Sequence, residues 1–234
     1  LQIKSSGYKT LSPVIGYFSP EHVTMVNESP QQNPVWLDPC EVPNGAYGQR
    51  GKNWAMLRRS QGGDVRVILI NPPIDCVLEN GNASPVTSYL FYNSAPLGLL
   101  YIASALEGEG HTVAAIDGAA EQLNVPKVVE RVREFQPDVI GIGSFTVSFE
   151  TTKRLAADLK AALPDVPIVL GSYHVTLVTE DAMADDNFDV GVLGEGEHTM
   201  IDLVDFYENG GDLKDIPGIC FQTEDGLHFT PGRK

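Results

Sequence analysis

The stretch from Asp189 to Met200, DVGVLGEGEHTM, sets glycines between carboxylates: Gly194, Glu195, Gly196 and Glu197, followed by His198. Glycine lets a backbone turn sharply or approach another molecule closely. A carboxylate accepts hydrogen bonds from amides and suits the first turn of a helix, where the dipole is positive. Two readings follow. The junction is a strand–turn–helix connection with good helix-start chemistry, or it is a loop built to lie against a ligand. Other apolar runs end in the same way. Gly143, Ser144, Phe145 and Thr146 close one run, and Gly171, Ser172, Tyr173 and His174 close another. Asn71, Pro72 and Pro73 close a third, and Asp117 and Gly118 a fourth. Several such ends on one edge imply close approach by something large and flat, or by a long tail.

The familiar catalytic and phosphate-binding motifs do not fit. GxxxxGK[ST] is absent, which argues against a nucleotide triphosphatase. GIGSFT supplies Gly141, Gly143 and Thr146, a broken dinucleotide fingerprint that falls on the third strand rather than the first. Asp117 sits where a ribose-binding acid would, yet the first strand ends in NPP without glycines. The GxSxG nucleophile elbow is missing. His174, Glu195, Glu197 and His198 lie on adjacent strand ends and could be imagined around a metal. No two of them have a motif spacing, and no cysteine joins them. The preferred reading is that Glu197 and His198 begin a helix and that Glu195 binds backbone amides of a neighbouring loop. No protein side chain is assigned to a metal, and none to catalysis.

The elements that must position these residues begin at Asp64. VRVILINPP is a β-branched run ended by a double proline, as in a buried parallel strand. About twenty residues of loop follow, a length that is usually functional or disordered. PLGLLYIASALEGEGHT predicts a helix with Pro96 in its first turn and with Leu97, Leu100, Tyr101, Ala103 and Leu106 on one face. VAAIDGA is the second strand, and NVPKVVERVREFQP an amphipathic helix of Val128, Val129, Val132 and Phe135. DVIGIGSFT, VPIVLGSYH and DVGVLGEGE are strands three to five. SFETTKRLAADLKAALP, a short VTEDAMADD and HTMIDLVDFYENGG are the intervening helices. Alternation of this kind predicts a doubly wound, five-stranded parallel sheet of flavodoxin-like, Rossmann-type order 2-1-3-4-5. Its ligand crevice opens at the carboxyl ends of strands 1 and 3. GICFQTEDGLHFT then predicts a C-terminal β-hairpin through Asp225-Gly226.

Residues 1–63 differ in texture. They are rich in Pro, Asn, Gln, Ser and Gly and read as an irregular extension, with Trp36, Tyr47, Trp54 and Met56 available to pack it onto the body or a partner. The expected organisation is therefore an extension over 1–63 and an α/β domain with its hairpin over 64–234. In all, 42% of the 234 residues are hydrophobic and the formal net charge is -15. That charge argues against a nucleic-acid partner. No apolar run approaches the ~20 residues that span a membrane, and no signal peptide is evident. Cys40, Cys76 and Cys220 are too few and too scattered for a disulfide framework or a CxxC site, so a cytoplasmic setting is expected.

INPP, PLGLLYIASALEGEGHTVAAID, PDVIGIGSFT, VLGSYHVT and GVLGEGEHT, in this order, resemble the N-terminal cobalamin-binding domain of cobalamin-dependent radical SAM enzymes. The resemblance covers about residues 65–230 and not the first 60, and is most specific in PLGLLYIA and GEGE. It implies a cobalamin across the strand ends. Asn71 and Pro72 would flank the corrin. Ser144, Phe145 and Thr146 would meet the corrin or the nucleotide tail, and Gly171, Ser172 and His174 would line the tail's channel. Gly194, Glu195, Gly196 and Glu197 would close the loop. Family members often have Gly-Gly where this chain has Gly171-Ser172. The Asp-x-His-x-x-Gly motif of an axial histidine is absent, which implies a base-off cobalamin.

The CxxxCxxC triad that holds an iron–sulfur cluster is absent too. The resemblance places it just beyond TPGRK, so this chain would not perform radical chemistry alone. The implied whole is a longer enzyme, foremost a methyltransferase, with a [4Fe-4S] cluster, S-adenosylmethionine, a radical SAM domain following this chain and a small-molecule or peptide substrate. Ring-forming and rearranging relatives keep the reaction open. The alternatives are a free-standing cobalamin carrier or sensor, with Trp36 and Trp54 as partner anchors, and an unrelated flavodoxin-like domain binding a nucleotide or flavin.

Overall fold

The computed structural model describes residues 64–74 and 95–233, with the backbone of two short strands, Tyr47–Gly48 and Lys52–Asn53, which pair antiparallel. The expectations for the remainder of residues 1–63 and for loop 75–94 fall outside the described residues. The main body alternates strands and helices. In chain order these are β1 (Arg66–Asn71), α1 (Leu97–Gly108), β2 (Thr112–Asp117), α2 (Val125–Phe135), β3 (Val139–Gly143), α3 (Phe149–Ala162) and β4 (Ile168–Gly171). The short helices α4 (Tyr173–Leu177) and α5 (Thr179–Ala182) follow, then β5 (Val190–Val192), α6 (Glu197–Asn209), β6 (Ile219–Thr223) and β7 (Gly226–Phe229).

The sheet order is β2-β1-β3-β4-β5-β6-β7. The first five strands are parallel and take the expected 2-1-3-4-5 order. The hairpin does more than follow them: β6 pairs antiparallel with β5, and β7 with β6, so the sheet is seven-stranded and mixed. Gly226 opens β7 at φ +113, a conformation that L side chains rarely adopt. Among the described residues no helix is long and apolar enough to cross a membrane.

Side chains alternate across the sheet. Val67, Leu69, Val139 and Val169 pack with Ala103 and Leu106 of α1 and Met200, Leu203 and Val204 of α6. Ile68, Ile70, Ile140 and Ile142 pack with Val128 and Val132 of α2 and Leu155 and Leu159 of α3. Asn124 caps α2, its Oδ1 accepting from the Lys127 amide at 3.1 Å. At the amino edge Lys160 Nζ donates to Asp189 Oδ2 at 2.7 Å, and the same oxygen accepts from the Ile168 amide at 2.7 Å.

Two expectations shift. In α1 the buried stripe runs through Ala103 and Leu106 with Leu99 and Ile102 beside them. Leu97 and Tyr101 are 61% and 63% exposed. The helix is apolar nearly all round, so periodicity alone does not choose its inner face. The fourth and fifth strands are also shorter than their apolar runs. Ser172 turns the chain at φ 79, and His174 lies in α4 rather than in an open loop. β5 stops at Val192, before the Gly-Glu pairs.

Candidate functional site

At the carboxyl edge of the sheet a cleft of about 520 Å³ opens over β1, β3, β4 and β5, within the ~300–1,000 Å³ common for small-molecule sites. Its floor begins with glycines. Gly143 and Gly171 are register partners on β3 and β4, so two neighbouring strands present bare peptide side by side. Two residues deeper on the same face, Leu69, Gly141 and Val169 form the next row across β1, β3 and β4. A Cβ at Gly171 would meet nothing within 4 Å, whereas one at Gly143 would lie 3.3 Å from Leu99 Cδ2 and one at Gly141 2.7 Å from Leu69 Cδ2. The cleft then continues between the sheet and the two helices that cover this face, against Leu99 and Ile102 of α1 and Met200 of α6.

The Gly-Glu loop forms one wall, and its two glycines have different reasons. Gly194 adopts φ +82, a turn conformation open to glycine. Gly196 is a matter of space: its Cβ would sit 2.9 Å from Ile102 Cδ1, so glycine lets α6 begin hard against α1. Glu195 stands exposed at the mouth, and Glu197, half-buried, occupies the first turn of α6 where the helix dipole favours a carboxylate. Opposite, Phe145 and Tyr173 stack with centroids 5.7 Å apart, while remaining 47% and 67% exposed. That is a large apolar surface left open at a cleft mouth.

Of the sequence-nominated residues, Asn71, Phe145, Gly171, Ser172, Gly194, Glu195, Gly196 and Glu197 border the cleft. Pro72, Ser144 and His174 are buried behind this lining, and the exposed Thr146 lies outside it. Ser144 is fully buried, and its Oγ lies 3.0 Å from Thr152 Oγ1. His174 is 4% exposed, with Nδ1 3.2 Å from Thr146 Oγ1 and its ring 3.9 Å from that of Phe149. Its Nε2 has no hydrogen-bond partner among the described residues. Burial lowers the His174 pKa, Lys153 adds to the shift and Asp181 opposes it. These two residues tie the β3–α3 turn to α4, since the His174 amide also donates to the Ser144 carbonyl at 3.2 Å. Asp117, where a ribose-binding acid was weighed, accepts from Asn71 Nδ2 at 2.7 Å and from the Ala120 amide at 3.1 Å. Among the described residues no group of three or more His, Cys, Asp or Glu is placed to hold a metal.

Sequence reasoning did not nominate the apolar floor and wall: Leu69, Leu99, Ile102, Val169, Val192 and Met200. The signal was present but indistinct. Leu69, Val169 and the glycine Gly141 stand two positions before the strand-end residues Asn71, Gly171 and Gly143, hence on the same face. In sequence they look like ordinary core.

The architecture defines a doubly wound α/β ligand-binding domain with its site at the topological switch between β1 and β3. Residues 84–204 match the family described as the B12 binding domain, and the chain belongs to that family. It is 31% identical over 172 residues to an uncharacterized methyltransferase of Pyrococcus horikoshii, covering 72% of this chain and 35% of that protein. It is 31% identical over 169 residues to the anaerobic magnesium-protoporphyrin IX monomethyl ester cyclase of a Synechocystis species, covering 71% of this chain and 32% of that protein. Among solved structures, the radical S-adenosylmethionine methyltransferase TsrM from Kitasatospora setae, with cobalamin and a [4Fe-4S] cluster bound, superposes with a TM-score of 0.59. Identity there is 21%, over 74% of this chain and 30% of TsrM, so this likeness speaks to the fold. The chain thus spans about a third of the length of the curated relatives it matches. It is a cobalamin-binding domain, similar in sequence to part of an uncharacterized methyltransferase, and the unrelated flavodoxin-like alternative gives way to the family match.

Proposed function

We propose that this chain, over residues 64–234, holds cobalamin base-off as the N-terminal part of a longer radical SAM enzyme that transfers a methyl group to an unactivated centre. The observation that carries this reading is the glycine-floored cleft. A cradle that a side chain at Gly171, beside the register-paired Gly143, would fill suits a flat or elongated group lying directly on the sheet edge. Asn71, Phe145 and Tyr173 would bound the corrin, and the space between the sheet, α1 and α6 would take the nucleotide tail. Glu195 and Glu197 would accept hydrogen bonds from the corrin's amide side chains. When bound, the cofactor supplies a cobalt centre that carries the methyl group.

The absence of an axial ligand rests on the lining. Among the described residues no histidine borders the cleft, and His174 is engaged with Thr146 and Phe149 behind it. Loop 75–94, IDCVLENGNASPVTSYLFYNSA with its flanks, contains no histidine either. The [4Fe-4S] cluster, the S-adenosylmethionine and the substrate would belong to the rest of the enzyme, and a cytoplasmic setting accords with the sparse cysteines. The test is a visible spectrum after anaerobic incubation with hydroxocobalamin and desalting. Stoichiometric retention with a base-off spectrum is expected. A colourless protein would refute cobalamin holding by this chain, and a base-on spectrum would refute the axial assignment.

A further inference from the structure

We propose that the cleft floor selects among cobamides by their lower base, accepting a benzimidazole and discriminating against adenine. This rests on the reading that the nucleotide tail enters the cleft. The side chains between the sheet, α1 and α6, Leu69, Leu99, Ile102, Val169, Val192 and Met200, are apolar. The peptide groups beneath them are committed to the parallel ladder through the Leu69–Gly141–Val169 row. Nearer the edge, the Gly171 carbonyl accepts from the Ser144 amide at 3.1 Å.

Three polar side chains of the lining, Asn71, Thr176 and Ser148, are engaged within the protein, and Ser172 and Tyr173 stand at the turn after β4. Asn71 donates to Asp117. Thr176 Oγ1 donates to the Ser172 carbonyl and accepts from the Gly194 amide. Ser148 Oγ exchanges hydrogen bonds with the Phe145 backbone. Glu195 stands in the loop at the mouth, and Glu197 opens α6 where the helix dipole holds its carboxylate.

Adenine would carry an exocyclic amine into this floor. An amine buried without an acceptor forfeits its hydrogen bonds to water. Dimethylbenzimidazole has no exocyclic donor and brings two methyl groups, which gain from burial. The two bases share the imidazole nitrogen, so the difference between them lies in the six-membered ring that would lie against Leu69, Val169 and Met200.

The test is an absorbance titration of the 234-residue chain with three probes. These are aquocobalamin, the cobamide with adenine as lower base, and cobinamide, which has no nucleotide. Cobalamin should bind about tenfold or more tightly than the adenine cobamide, and more tightly than cobinamide. Equal binding of cobalamin and the adenine cobamide, both above cobinamide, would overturn base selection and leave the tail in the cleft. Equal binding of all three, or retention of none, would overturn both readings. Met200→Gln, of nearly the same shape, places an amide at the floor and should narrow the gap between the two bases. An unchanged gap in a variant that melts like the parent would also overturn the proposal.

Discussion

Gly171→Val separates folding from binding at the cleft floor. The position ends β4, its φ is ordinary, and an added Cβ meets nothing within 4 Å. A β-branched residue therefore fits the strand, and removing a strand glycine contributes about 0.5–1 kcal/mol of stability. For a domain of this size that raises Tm by roughly 1–4 °C. The new side chain occupies the two-glycine notch shared with Gly143. A ligand forced against it meets an overpacking cost of about 1–3 kcal/mol, or roughly five- to 150-fold in affinity. Thermal melting followed by circular dichroism and a hydroxocobalamin titration read the two effects in one preparation. A variant with an unchanged or raised Tm that still binds like the parent would refute passage of the ligand over Gly171. A variant that unfolds would refute the claim that the space there is open.

Gly191→Ala should behave oppositely. Its Cβ would lie 2.7 Å from Cys220 Sγ and 2.9 Å from Val175 Cγ2, so overpacking should cost about 1–3 kcal/mol in a urea melt and leave the cleft lining untouched. Ser172→Gly should stabilise: φ 79 and ψ -167 lie in a region that is essentially glycine's, and relief of about 1–3 kcal/mol exceeds the entropic penalty of about 0.5–1 kcal/mol. An unchanged or lower Tm would contradict that strain. Asp189→Asn should cost about 3–5 kcal/mol in chemical denaturation, because Asp189 is fully buried and its carboxylate pairs with Lys160 Nζ at 2.7 Å. For His174, whose pKa burial lowers from its ordinary 6.5, the unfolded chain takes up the proton first. Its stability contribution is complete above pH 6.5 and falls as pH drops below it. His174→Phe should flatten that part of the Tm–pH curve, and identical curves would exclude the residue as its source.

The strand-end logic found much of the site because local chemistry reports it. Gly194 and Gly196 mark a turn and a tight helix start, and each is used so. Ser144 and His174 carry the same outward look, yet they turn inward to join the β3–α3 turn to α4. A hydroxyl or an imidazole next to a strand end has the same local sequence whether it faces a ligand or braces the loop behind one. Which of these it does depends on neighbours distant in the chain, here Thr152 on α3 and Phe149 at its start.

Order and direction of the five parallel strands were determined by sequence alone. Apolar runs ended by glycine or proline and separated by helical segments leave few ways to bury both sheet faces, and right-handed crossovers select among them. Three features needed the tertiary structure. The hairpin signal at Asp225-Gly226 does not say that β6 will pair with β5 and extend the sheet. The apolar circumference of α1 does not say that Leu99 and Ile102 face inward while Leu97 and Tyr101 stay out. The glycines 143 and 171, 28 positions apart in sequence, become one notch only through cross-strand register. Periodicity encodes which face of an element is buried, but register and helix rotation are fixed by packing between elements, and the cleft exists only where those packings meet.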